Sequence, residues 1–139
     1  MNILNVVALL SLVTLILATK PTLQASERMK SGQWEVSVTD NGRTATSTHC
    51  DTPEQVKTAN GRSEEVRASL EKSASSLHCT LQDFKMESAT ISYTYACPGR
   101  STATKTSYHG DSYETSVTSK VGAEEHTRQI KGRRLGECP

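Results

Sequence analysis

From Gly32 onward, hydrophobic and polar residues alternate along the chain. Trp34, Val36 and Val38 occupy every second position, with polar residues between them. A period of two residues is typical of a strand that buries one face. The following Asp40-Asn41-Gly42 favours a tight turn, so the Thr-rich run from Arg43 to Cys50 is predicted to be the second strand of a hairpin.

The pattern after this hairpin changes to one that favours a helix. Thr52 is a candidate N-cap, Pro53 suits the first helical position, and Gln55 stands three residues after the cap. Asn60-Gly61 interrupts the helical pattern, which then resumes. The sequence therefore predicts one broken helix, from about residue 53 to 74, inserted after the second strand.

The remainder of the chain returns to strand patterns separated by turn residues. Strands are predicted at 79–86, 89–97, 101–108, 112–120 and 125–131. The first of these changes phase along its length, which predicts a bulge near Gln82-Asp83. We therefore expect an α+β fold, in which the broken helix packs against a curved antiparallel β-sheet of six to eight strands arranged as a meander.

One face of the predicted sheet carries most of the large apolar side chains. We expect this inner face to hold Trp34, Phe84, Ile91, Tyr93 and Tyr95. The indole N–H of a buried tryptophan needs a hydrogen-bond acceptor, and core packing is the favoured role of Trp34. Trp34, Tyr93 and Tyr95 are also the candidate ligand-lining residues, because aromatic side chains on a curved sheet suit the wall of a pocket.

An apolar segment without charged side chains precedes this domain, from Met1 to Ala18. It is shorter than the roughly 20 residues that a membrane-spanning helix needs, which favours a secretory signal peptide over an anchor. Cleavage after Ala18 and cleavage after Ala25 are both open, and the second is favoured. We expect residues 1–25 to be the signal peptide and 26–139 a single domain, periplasmic or secreted, with no stable membrane span after cleavage.

The chain has four cysteines and only 35% hydrophobic residues, so its core must be thin. Disulfides persist in an oxidising compartment and stabilise such small domains. Three pairings are open. The predicted hairpin register places Cys79 opposite Cys97, which would leave Cys50 for Cys138. A zinc site is the alternative use of the four thiols, but no Cys-x-x-Cys spacing is present.

Charge and motifs exclude several classes of function. The formal net charge is +1, with both signs interspersed, so we expect no nucleic-acid partner. His49 and His78 each precede a cysteine, but neighbouring strand residues point to opposite faces, so we expect no metal site. No Gly-x-Ser-x-Gly elbow is present, and we expect no catalytic residues, no enzyme activity and no cofactor.

Five short segments resemble the motifs of one known family. They are 29–36 with its Gly-x-Trp-Glu-Val start, the Cys-x-Thr-Pro-Glu step at 50–54, the paired-cysteine hairpin at 79–97, Gly-Asp-Ser-Tyr at 110–113, and the Arg-Leu-Gly-x-Cys end within 132–138. The chain resembles a family of small exported bacterial proteins catalogued as a domain of unknown function. The resemblance implies a periplasmic or surface location and brings no catalytic residues.

These observations favour a non-catalytic exported protein, a binding or envelope-associated accessory module. A binder of a small apolar ligand requires an apolar cavity of about 300 Å³ or more under the sheet. A module that binds an envelope protein instead requires an exposed apolar patch or an open sheet edge. An enzyme, the third class, requires titratable groups that converge in one cleft. The sequence alone does not decide among these three classes of function, and it does not identify a ligand or a partner.

Overall fold

The computed structural model describes residues 27–139. The predicted signal peptide, residues 1–25, lies outside this part of the chain. No helix within residues 27–139 has both the length and the apolar character needed to cross a membrane.

Seven strands and two helices make up the described chain. In order they are β1 (Gly32–Asp40), β2 (Arg43–Asp51), α1 (Pro53–Asn60), α2 (Ser63–Ser76), β3 (Thr80–Glu87), β4 (Thr90–Cys97), β5 (Arg100–Tyr108), β6 (Ser112–Val121) and β7 (Glu124–Gly136). All strand pairs are antiparallel and form one sheet. The expected antiparallel sheet of six to eight strands is confirmed.

The strand order is β2-β1-β7-β6-β5-β4-β3, and the sheet is open because β2 and β3 lie at opposite edges. Strands β3 to β7 form the predicted meander. The first hairpin joins this meander through the pairing of β1 with β7, so the first and last strands within residues 27–139 are neighbours. The helical segment connects one edge of the sheet to the other.

The first hairpin, β1 and β2, forms as the local sequence predicts. Asn41 and Gly42 have φ values of 48° and 73°, which a two-residue turn of type I′ requires. The register from the Gly32–Asp51 pair to the Asp40–Arg43 pair is unbroken.

Two separate helices occupy the chain between β2 and β3. The Thr52 side chain accepts a hydrogen bond from the Gln55 backbone N–H, and the Gln55 side chain accepts one from the Thr52 N–H over 2.7 Å. This reciprocal cap satisfies amide groups that have no partner inside the helix. Val56 on α1, with Val66 and Ala74 on α2, are buried. Helix α2 packs beside β3.

The predicted bulge in β3 is confirmed. The pairing with β4 shifts between Gln82 and Lys85, and Asp83 has a φ of 51°. The extra residue returns Phe84 to the side of the sheet that faces α2. There the Arg67 guanidinium lies 5.9 Å from the centroid of the Phe84 ring.

The predicted end of the last strand near residue 131 is wrong, since β7 continues to Gly136. Gly132 lies within β7 without interrupting it, at a point where the ring of Tyr113 comes close to the backbone. A Cβ atom at Gly132 would lie 2.1 Å from Cε1 of Tyr113, its partner on β6. The ring of Tyr113 therefore occupies the space above Gly132, and any side chain there would displace the ring.

Both predicted disulfides are present. Cys79 pairs with Cys97 at a Cα–Cα distance of 4.2 Å, and Cys50 pairs with Cys138 at 5.6 Å. The first bond links the start of β3 to the end of β4. The second ties the end of β2 to the C-terminal segment, and no cysteine among residues 27–139 is free.

Candidate functional site on the inner face of the sheet

An aromatic cluster lies on the inner face, which is the face that the helices cover. Trp34 has a relative exposure of 0%, and its ring centroid lies 5.5 Å from that of Tyr113. Tyr113 in turn lies 6.2 Å from Tyr108. The Trp34 indole N–H donates a 3.1 Å hydrogen bond to the Lys30 carbonyl. Trp34 thus has the buried position and the acceptor expected of a core tryptophan.

The two other candidate ligand-lining residues form a separate pair. Tyr93 and Tyr95 lie on β4 with ring centroids 4.9 Å apart, and the Tyr95 hydroxyl donates a 3.2 Å hydrogen bond to the Leu70 carbonyl on α2. Three strands separate them from Trp34 on β1. The structure therefore does not bring the three predicted residues into one cluster, and their contact with a ligand stays a prediction.

A small cavity of about 250 Å³ lies between the helices and the sheet. Its walls include Val66 and Leu70 from α2 and Ile91, Tyr93, Thr106 and Tyr108 from the sheet. Of the three candidate ligand-lining residues, Tyr93 alone contributes to these walls. Ligand pockets usually start at about 300 Å³, so this cavity is too small to enclose a typical ligand completely.

The covered end of the inner face also contains a buried hydroxyl pair. Thr106 on β5 and Thr115 on β6 stand opposite each other, both are 8% exposed, and their hydroxyl oxygens lie 2.9 Å apart. Each hydroxyl therefore has a partner without water.

Burial changes the acidity of the tyrosines in this layer. It raises the pKa of Tyr108 above its ordinary value, and the neighbouring Tyr93 raises it further. Burial likewise raises the pKa of Tyr113, with an added contribution from the Asp51 carboxylate. The pKa of Tyr95 is raised by burial and by Tyr93. These phenols therefore keep their protons at neutral pH.

The raised pKa of Tyr108 predicts a loss of stability in alkaline solution. The folded chain holds this phenolic proton more tightly than the unfolded chain. The resulting stabilisation is fully present below about pH 10, where the unfolded chain starts to ionise, and is lost as the pH rises through the raised folded pKa. We expect the urea midpoint, followed by far-UV circular dichroism, to fall between about pH 9 and about pH 11 in the wild type and to fall less in Tyr108→Phe.

The Tyr108→Phe variant keeps the ring, so the comparison isolates the titrating hydroxyl. With no free cysteine among residues 27–139, that part of the chain supplies no thiolate to exchange the disulfides at high pH. If the urea midpoint falls equally steeply with pH in the wild type and in Tyr108→Phe, the hydroxyl of Tyr108 does not cause the loss of stability.

The opposite end of the inner face is less covered. Val36, Val38, Val117 and Ile130 share this face and keep part of their surface exposed. Val38 stands opposite Ile130, and Val117 is the diagonal neighbour of Ile130 on β6. We call these four side chains the open patch. They lie on the neighbouring strands β1, β7 and β6, and Arg128 of β7 stands opposite Val117 on the same face.

Comparison with known families identifies the family of this chain. A family model described as "Protein of unknown function (DUF3617)" matches residues 29–138. The chain belongs to the DUF3617 family. Neither the curated proteins nor the solved structures that were compared include a match.

Two histidines of this DUF3617 domain, His49 and His126, each contact a carboxylate. His126 Nε2 lies 2.7 Å from Asp40 Oδ1, and His49 Nε2 lies 3.0 Å from Asp51 Oδ2. Within the described residues, no group of three or more His, Cys, Asp or Glu side chains is placed to hold a metal ion. The predictions of no metal site and no catalytic residue stay predictions.

The basic residues near the end of the DUF3617 domain are paired with acceptors. Arg133 donates a 2.9 Å hydrogen bond to Glu35. Arg134 donates to the Ser31 carbonyl over 2.7 Å and also to Glu137. These contacts link the end of β7 to β1 and to the segment before it.

Sequence reasoning missed Arg28, which is only 7% exposed. Its guanidinium donates to the carbonyls of Ser88, Ala59 and Gly61 over 3.0, 2.7 and 3.0 Å. Ala59 and Gly61 stand at the C-terminal end of α1, where the helix dipole favours a cation. Arg28 thus joins α1 to the β3–β4 turn. A lone arginine in a polar segment carries no pattern that marks it as buried.

Proposed function

We propose that this protein is a non-catalytic exported binding module that holds a small apolar ligand on the open patch. The observation that carries the proposal is the partly exposed aliphatic surface of Val36, Val38, Val117 and Ile130 on the face that also holds the buried Trp34. Burial of apolar surface yields about 25 cal/mol per Å², so a ligand that covers these side chains gains binding energy without polar contacts.

The geometry beside the patch favours a ligand that lies on the sheet over one that is fully enclosed. The row of opposing residues that contains Val117 continues through Thr104 to Tyr93. Tyr93 also forms part of the wall of the 250 Å³ cavity. A ligand on the patch can therefore extend along this row and insert one end beside Tyr93, which gives that residue the predicted lining role.

The raised pKa values of Tyr108 and Tyr113 make neither phenol suited to act as a base or a nucleophile at neutral pH. A general base or a nucleophile that acts at neutral pH needs a matched pKa. Tyr108 and Tyr113, which are partly buried, have a raised pKa and hold their protons. They therefore suit packing and hydrogen-bond donation.

Export is part of the proposal, and the disulfides support it. Cys50–Cys138 and Cys79–Cys97 persist most readily in an oxidising compartment such as the periplasm or the extracellular medium.

The test is a titration with N-phenyl-1-naphthylamine, an uncharged dye whose fluorescence rises in apolar surroundings. We expect saturable binding to the wild type, and about tenfold weaker binding to Val117→Glu, because the charge lies in the apolar contact. Thr118→Glu is the matched control, since the next residue of the same strand points to the other face. No saturable binding, or equal binding by both variants, would contradict the proposal.

A further inference from the structure

Strand β2 presents an unprotected edge to solvent. It lies at the end of the sheet and pairs only with β1 among the described strands. Every residue from Arg43 to Cys50 is exposed. Proteins usually protect such edges with Lys, Pro, a bulge or a covering element, because free backbone groups pair with other strands. Strand β2 contains no Lys or Pro, and its register has no bulge.

The opposite edge, β3, has the protection that β2 lacks. A bulge interrupts its pairing between Gln82 and Lys85, Lys85 itself is exposed, and α2 packs beside the strand. The contrast shows that the bare edge is a property of β2 and not of the whole sheet.

The hairpin geometry fixes which backbone groups of β2 are free. A two-residue turn joins the residues of a hydrogen-bonded pair, here Asp40 and Arg43. In an antiparallel ladder, hydrogen-bonded and non-hydrogen-bonded pairs alternate. The N–H and C=O groups of Thr44, Thr46, Thr48 and Cys50 therefore point away from β1 and towards solvent.

We propose that β2 is a self-association site, where the β2 strand of a second copy of this chain pairs antiparallel about a two-fold axis at Ser47. In this register Thr44 faces Cys50 of the second copy, and Thr46 faces Thr48. Residues with free backbone groups thus meet each other along the whole strand. The interface contains four hydrogen-bonded pairs with two bonds each, about eight in all.

Charge complementarity favours a second copy as the occupant. Residues 43–51 read Arg-Thr-Ala-Thr-Ser-Thr-His-Cys-Asp, with a cation at one end and a carboxylate at the other. The two-fold register places Arg43 opposite Asp51 at both ends of the interface. No ion pair within residues 27–139 involves Arg43, whereas Asp51 contacts His49 over 3.0 Å.

Side-chain pairing at the centre of the interface is also compatible with this register. Thr46 and Thr48 are β-branched, and threonine pairs across neighbouring strands stabilise sheets. Within one chain, Thr46 already contacts Ser37 over 3.0 Å through their hydroxyl groups. A single nine-residue strand makes a small interface, so we expect a weak dimer with a dissociation constant in the micromolar range, roughly 1 to 100 μM.

The first test measures sedimentation equilibrium of the protein isolated from its own cells, over a range of concentrations. We expect a monomer–dimer equilibrium, and a dissociation constant raised at least about tenfold in Thr46→Pro, which removes an outward N–H. Thr46→Val is the matched control, because it keeps the N–H and the β-branched shape. Thermal unfolding of the Thr46→Pro monomer verifies that the variant is folded.

The second test detects the register itself. At the two-fold axis, Ser47 faces its own counterpart in a non-hydrogen-bonded pair, with Cα atoms about 4.5 Å apart, a distance that a disulfide can bridge. We expect Ser47→Cys to give a disulfide-linked dimer, seen as an intact mass that reduction halves. Ala45→Cys is the control, because its counterpart lies four residues further along the strand.

Four results would overturn the proposal. One is a wild type that remains monomeric at millimolar concentration. A second is a dimer of unchanged affinity in Thr46→Pro, which would place the interface elsewhere. The third is equal cross-linking by Ser47→Cys and Ala45→Cys. A different protein chain that is isolated bound to β2 would likewise show that the edge serves another partner.

Discussion

Loss of the Cys50–Cys138 disulfide in the double variant Cys50→Ala and Cys138→Ala is expected to lower the free energy of unfolding by about 4.5 kcal/mol. Loss of Cys79–Cys97 in the corresponding double alanine variant is expected to lower it by about 3 kcal/mol. The difference arises from loop length, because the two bonds join residues 88 and 18 positions apart. A cross-link that closes a longer loop removes more conformational entropy from the unfolded chain.

Urea unfolding at pH 7, followed by far-UV circular dichroism, measures both values. The loss should be seen in the urea midpoint, while the denaturant slope reports any expansion of the unfolded chain. The reduced wild type supplies the control, since its stability should lie below that of either double variant. A larger loss from the Cys79–Cys97 pair would show that native packing around buried Cys79, and not loop closure, determines the effect.

The features that the sequence predicts well are those that depend on neighbours along the chain. Asn41-Gly42 specifies its turn because both residues tolerate positive φ. The exchange of hydrogen bonds between Thr52 and Gln55 needs only three residues of spacing. The Cys79–Cys97 bond follows from the register of a single hairpin.

The features that sequence reasoning misses depend on residues far apart in the chain. The pairing of β1 with β7 sets Trp34 beside Arg134, and no local pattern encodes that contact. Gly132 resembles a strand break in the sequence, yet its role is set by the ring of Tyr113 on the next strand. Arg28 is buried because three carbonyl groups from two distant segments converge on it.

The residues of the predicted aromatic site lie apart in the structure, again because their positions depend on pairing between distant segments of the chain. Trp34, Tyr93 and Tyr95 all belong to the inner face, but the strand order separates Trp34 from the two tyrosines. Alternation along a strand predicts the face that a side chain occupies, while the order of strands determines its neighbours. The sequence predicts the faces and the meander of β3 to β7, but it carries no signal for the pairing of β1 with β7, which fixes the place of Trp34 in the sheet.

The two proposals concern adjoining surfaces of the same sheet. Ala45 on β2 stands opposite Val38 of the open patch. Pairing of two β2 strands about Ser47 would continue the sheet from one copy to the other, so both open patches would lie on the same side of the joined sheet. A dimer would therefore offer a longer ligand two neighbouring apolar surfaces. The dye titration of Val117→Glu and the sedimentation of Thr46→Pro test these surfaces separately.

Replacement of Trp34 by alanine is expected to lower the free energy of unfolding by about 3 to 5 kcal/mol. The indole is 0% exposed, packs 5.5 Å from Tyr113 and donates a hydrogen bond to the Lys30 carbonyl, so the substitution leaves a cavity and an acceptor without its donor. Trp34 is the only tryptophan, so circular dichroism must replace fluorescence as the signal. Gln33→Ala, one residue earlier and on the other face, should change stability by less than about 0.5 kcal/mol. A loss below about 1 kcal/mol for Trp34→Ala would mean that the covered end of the inner face is not the core of this domain.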